Sequence, residues 1–146
     1  MKLTKAQRAT LREMFDGQCA YCGCDLSVRW HADHVEPVTR ELLSKQTERG
    51  TWKLISGKPL HPERDCIENL MPACAPCNID KHAMTLEEWR TKLSRTLIVL
   101  DRDYPTYRHA VRFGLVQETG AEVTFHFERR AALKGATPGG EGASNG

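Results

Sequence analysis

Two Cys-x-x-Cys knuckles, Cys19-Ala-Tyr-Cys22 and Cys74-Ala-Pro-Cys77, constrain this chain more than any other feature in it. Each knuckle delivers two sulfurs from one tight turn, and zinc favours four thiolates at tetrahedral corners. If both pairs serve one ion, the long stretch between them becomes a closed loop that must fold around the clasp. Cys19, Cys22, Cys74 and Cys77 are therefore the expected ligands of a structural Zn²⁺. A shell filled by protein leaves no corner for water, so this ion builds a frame and does not activate a nucleophile. The alternatives are a redox-active pair, merely buried cysteines, or Cys24 standing in for Cys22. Cys24 and Cys66 are otherwise spare thiols.

Composition narrows the setting. At 146 residues and 16.5 kDa there is room for one compact domain and a tail. We expect a single domain over 1–133, with a motif core at 19–82 and a helical and hairpin extension at 85–130. Residues 134–146, rich in Gly, Ala and Ser without apolar anchors, are expected to be a disordered tail. No apolar run approaches the roughly 20 residues needed to cross a bilayer, and the Lys- and Arg-bearing N-terminus has no signal-peptide core. The expectation is a soluble, cytoplasmic protein with no membrane partner, and a reducing compartment favours metal thiolates over disulfides. A net charge of +2 and a pI near 8.2 permit DNA binding without demanding it.

The local patterns indicate an α+β chain. Thr4-Lys5-Ala6-Gln7 is a capping box opening a helix whose apolar face holds Leu11, Met14 and Phe15, ended by Asp16-Gly17. Val28 to Val35 has strand character, with Arg29, His31, Asp33 and Val35 on one face and Trp30, Ala32 and His34 on the other. Residues 40–49 suit a short helix and Trp52 to Ile55 a strand. A helix beginning at Cys77 places Asn78 and His82 four apart on one face. Thr85-Leu86-Glu87-Glu88 is a second capping box, starting a helix that runs through Trp89, Leu93, Leu97 and Leu100. A short helix is expected over Thr106 to Phe113. Leu115 to Gln117, a turn at Glu118 to Gly120, and alternating Val123, Phe125 and Phe127 suggest a C-terminal β-hairpin.

Between the knuckles and after them lies a second set of polar residues: Asp33-His34-Val35-Glu36-Pro37, Glu68-Asn69-Leu70, and Cys77-Asn78-Ile79-Asp80-Lys81. Together with the first knuckle these resemble the zinc-bearing branch of the HNH endonuclease family, over about Cys19 to His82. The resemblance implies a ββα-metal, treble-clef-like core with flanking elements, in which one divalent cation is held against a scissile phosphodiester. It makes His34 the general base for water, Asp33 and Asn78 ligands of the catalytic cation, and Asn69 the brace of the loop that orients the base. It also matches Lys81 to a family lysine that would contact the DNA backbone.

The residue chemistry is compatible on its own terms. A histidine titrates near neutrality, as a general base must, and Asp and Asn oxygens suit Mg²⁺ or Mn²⁺. His82, if it joins the cation, shifts preference toward Mn²⁺, Ni²⁺ or Zn²⁺; a solvent-exposed helical histidine and a phosphate contact stay open as its alternatives. Arg29 and Arg40, with Lys45, Arg49, Lys53 and Arg64, are further candidates for DNA phosphates. The expected partner is double-stranded DNA, with a partner protein as one source of specificity, and the small size suits a phage or mobile-element setting. The competing functions are a non-catalytic zinc-knuckle adaptor for DNA or protein, and a thiol redox protein.

Overall fold

The computed structural model describes residues 1–135, so all but the first two residues of the expected tail lie outside the described residues. The described residues are α+β, built from two small antiparallel sheets and six α-helices. Helix α1 (Lys5–Glu13) begins where the capping box places it: Thr4 Oγ1 accepts from the Gln7 amide and the Gln7 side chain accepts from the Thr4 amide. It ends ahead of Asp16 and Gly17, which both take left-handed φ values of 53° and 75°. The chain then turns into the first knuckle.

Strand β1 (His31–His34) pairs with β4 (Leu70–Ala73), and helix α2 (Ala75–Lys81) follows β4 directly. The strand is shorter than its sequence pattern, because Val28 is left in solvent and the register with β4 covers His31 to His34, with the Val35 amide adding one bond to the Asn69 carbonyl at 2.9 Å. Cys74 occupies the N-cap of α2 and Pro76 lies in the first turn, where its missing amide hydrogen costs nothing. One short segment thus supplies a strand, two thiols and a helix.

Residues 40–49 do not form the expected helix. Strands β2 (Arg40–Gln46) and β3 (Trp52–Pro59) make a two-stranded ribbon, with Leu43 opposite Ile55 and Lys45 opposite Lys53. Its turn is held by the Thr47 amide on the Thr51 carbonyl at 2.7 Å, a hydroxyl–hydroxyl bond between the two threonines at 2.7 Å, and Gly50 at φ 75°. The cross-strand partners lie outside 40–49, which is why that window alone misleads.

The second capping box opens α3 (Leu86–Ser94) as its sequence indicates, but the helix stops at Arg95 and restarts as α4 (Thr96–Asp103). Ser94 and Thr96 hydroxyls donate to the carbonyls four residues back, a bonding pattern that bends helices. Helix α5 (Pro105–Arg112) packs on α4.

The expected C-terminal hairpin is absent among the described residues. Val123, Phe125 and Phe127 do pack inward with period two, yet the backbone amides of His126 and Phe127 donate to the Tyr21 and Ala20 carbonyls of the first knuckle, at 2.8 Å each. The chain then enters α6 (His126–Gly135), with Glu128 accepting from the Phe125 amide at 2.9 Å. Lys134 and Gly135 therefore belong to a helix. A hydrophobic run that looks like one strand of a hairpin is instead a strap over the knuckle.

The core is small and aromatic. Trp89 stacks on Phe125 at 5.1 Å between ring centres, and Tyr21 meets both edge-on. Leu11, Leu26, Trp30 and Leu70 complete it. Arg90 clamps the strap by donating to the Val123 carbonyl and to Glu128, whose carboxyl that guanidinium holds below its usual range. No helix among the described residues is long and apolar enough to cross a membrane.

Candidate functional site

The folded chain brings both knuckles together. The sulfurs of Cys19, Cys22, Cys74 and Cys77 all lie within 4.8 Å of one another, and Cys22 and Cys74 Sγ are 3.8 Å apart. Four thiolates about 2.3 Å from a central zinc would sit roughly 3.8 Å from each other, so the donor set and spacing fit a tetrahedral ion. The Cys74 amide donates to Cys19 Sγ at 3.3 Å. With the Cys77 thiol as its main hydrogen-bond partner and backbone amides adding to it, Cys19 is lowered to about 4, while the contact with Cys19 and burial push Cys77 up.

Gly23 makes the first turn feasible twice over. It sits at φ 80°, and a Cβ there would fall 2.8 Å from His126 Nδ1. Cys24 lies beside the cluster but outside the set of four; burial, then contact with Cys22 and Cys74, raises it to about 12.

Asp33 and His34 point apart, as alternation along a strand requires. Asp33 is 7% exposed, and its Oδ2 receives the Tyr21 hydroxyl at 2.5 Å and Lys81 Nζ at 3.1 Å. Lys81 is fully buried and also donates to the His34 carbonyl at 2.7 Å. This corrects the reading of Lys81 as a contact to the DNA backbone: its ammonium is spent inside the protein, tying α2 to β1. Burial, followed by the charge of Asp33, pushes the Tyr21 hydroxyl up, so Tyr21 stays a hydrogen-bond donor.

His34 faces the other way. Its Nε2 lies 2.9 Å from Asp65 Oδ1, and Asp65 Oδ2 is in turn paired with the Met1 amino group. Those two contacts, the amino group first, hold the Asp65 carboxyl below its usual range. An ionised carboxylate can only accept, so Nε2 carries the proton and Nδ1 is the ring nitrogen left to take one. Asp65 was not singled out by the sequence; it lies between two 3-10 turns, Pro62–Arg64 and Ile67–Asn69, and no spacing rule marks it.

Asn69 uses its whole side chain on the backbone beneath His34. Its Oδ1 accepts from the Glu36 amide at 2.9 Å, and its Nδ2 donates to the Glu36 and Arg64 carbonyls at 2.8 Å each. Asn78 and His82 line one open cleft together with Asp33 and His34. His82 caps the helix at φ 49°, ψ −127°, its amide donating to the Asn78 carbonyl four residues back at 3.0 Å. Such a backbone costs a residue with a Cβ about 1–3 kcal/mol.

The four cysteines are the one group of three or more His, Cys, Asp or Glu side chains gathered at metal-binding distance among the described residues. A second cation in the cleft would have to draw on Asp33, whose Oδ2 is already engaged, and on Asn78 and His82. Of the basic candidates, Arg29 is exposed and Arg40 borders the neighbouring cleft with His34 and Asp65. Arg64 instead donates to the Pro37 carbonyl at 2.9 Å. No family model, no curated protein and no solved structure matches the chain.

Proposed function

We propose that this protein is a metal-dependent DNA endonuclease of the HNH type, with a ββα-metal core framed by Zn²⁺ at Cys19, Cys22, Cys74 and Cys77. The observation that carries the reading is the His34 ring, held at Nε2 by Asp65 and opening onto a cleft shared with Asp33, Asn78 and His82. In this reading His34 Nδ1 takes a proton from the attacking water, a step worth roughly 10²–10⁴-fold. Asp65 keeps the ring in the tautomer that leaves Nδ1 free, and Asn69 holds the loop carrying it. Asp33, Asn78 and His82 would hold Mg²⁺ or Mn²⁺, which when bound offsets the charge developing on the phosphate oxygens. Double-stranded DNA is the substrate this arrangement would take.

Nicking of supercoiled plasmid in Mg²⁺ or Mn²⁺ tests this. His34→Ala is expected to lower the rate at least about 100-fold with zinc content unchanged. Cleavage retained in that variant overturns the assignment.

A second reading has its own support: Asp33 is buried and its Oδ2 already serves Tyr21 and Lys81, as in a purely structural strand. A non-catalytic zinc-knuckle adaptor would retain DNA without cleaving it in any divalent metal.

A further inference from the structure

The β2–β3 ribbon has no place in the core, the zinc cluster or the cleft chemistry. All of β2 is exposed, and Leu42, Trp52 and Leu54 are 67–71% exposed on one face. Residues 40–59 hold five of the chain's lysines and arginines against two glutamates, whereas the whole chain nets only +2. At the far end Lys45 stands directly opposite Lys53, with Arg49 in the turn. Like charges placed across a ribbon repel, and none of these three takes part in an ion pair among the described residues. The base of the ribbon borders the neighbouring cleft, where Arg40 and Leu42 lie beside His34, Asp65 and His82, and His34 and His82 also line the cleft with Asp33 and Asn78.

We infer that the ribbon is a duplex-DNA-binding arm, whose tip cations Lys45, Arg49 and Lys53 grip backbone phosphates away from the bond presented to His34. Strands of seven and eight residues reach about 23–27 Å at 3.3–3.4 Å per residue, far enough to engage phosphates beyond the cleft. A two-stranded ribbon is also a shape that the roughly 12 Å wide major groove admits. Repulsion at the tip, unrelieved by an ion pair among the described residues, is relieved by a polyanion. The inference rests on the nuclease reading for the choice of duplex DNA as the ligand.

The test measures binding and not cleavage. Full-length, zinc-loaded protein carrying His34→Ala is titrated against a fluorescein-labelled 30-base-pair DNA duplex over a range of salt concentrations, with and without Lys45→Ala, Arg49→Ala and Lys53→Ala combined. The triple variant is expected to bind about tenfold more weakly at moderate salt, with the slope of log K against log salt reduced by about 2 to 3. The Lys45→Arg and Lys53→Arg pair, which keeps the charges, should retain the parent's affinity and slope. Trp52, the exposed one of three tryptophans beside buried Trp30 and Trp89, should change its fluorescence on titration.

Equal affinity and slope in parent and triple variant overturn the arm and leave the nuclease reading standing. Absence of duplex binding by the parent overturns the arm as well, while plasmid nicking separately judges the nuclease. If Leu42→Ser with Trp52→Ser converts a dimer to a monomer in sedimentation while DNA affinity is unchanged, the ribbon is a self-association face and the inference fails.

Discussion

The described residues form two antiparallel strand pairs that share a hydrogen-bonding pattern and little else. The β1–β4 pair is short, four residues to a strand, and is locked between two cysteine knuckles, a buried lysine and an aromatic core. The β2–β3 pair is about twice as long and stands almost wholly in solvent. An isolated two-stranded sheet is marginal in water, so the ribbon depends on its turn and on its attachment to the clasped core. Strand length is thus no guide to which sheet organises the fold; what matters is what each sheet is fastened to.

The largest effect should come from the clasp. Cys77→Ser removes one of four thiolates, and structural zinc in small domains contributes about 10–16 kcal/mol of apparent binding energy to folding. The variant is expected to lose zinc and cooperative unfolding together, checked by metal analysis and circular dichroism. A folded, cooperative, zinc-free Cys77→Ser protein would show that the core holds the β1–β4 pair unaided.

Next in size is Lys81→Met. Removing the ammonium leaves Asp33 as a buried carboxylate with only Tyr21 beside it, and breaking a buried pair in this way costs about 3–5 kcal/mol. Urea unfolding of the zinc-loaded variant measures it. A loss below about 1 kcal/mol would mean that Asp33 is reached by water, and would bring it closer in character to the ribbon's surface charges.

The smallest effect should be in the ribbon. Leu54→Ser alters a side chain that is 67% exposed and is expected to change stability by no more than about 0.5 kcal/mol. A larger loss by the same urea measurement would erase the contrast, placing the ribbon inside the cooperative unit.

What could be read in advance follows the range of the forces involved. Both capping boxes are local bonds between residues three apart, so Thr4 with Gln7 and Thr85 with Glu88 are legible as text. The knuckles are legible because each Cys-x-x-Cys brings two sulfurs together within one turn, in a spacing that suits a metal ion. Asp65 was invisible because its partner His34 is 31 positions away and joins it only after the chain folds back. The strap around Phe125 differs from the expected hairpin for the same reason: its period of two marks burial correctly, but the carbonyls that accept the His126 and Phe127 amides belong to Tyr21 and Ala20.

By itself, then, the sequence determined where the two helices with capping boxes begin, at Thr4 and Thr85, and which four cysteines gather. Only the tertiary structure decided that Lys81 is an internal strut, that Asp65 faces His34, that residues 40–59 are a ribbon and that the C-terminal apolar run straps the first knuckle. Each of these depends on which unsatisfied charge or backbone group lies within about 3 Å, and that proximity is set by the closed fold rather than by neighbours along the chain.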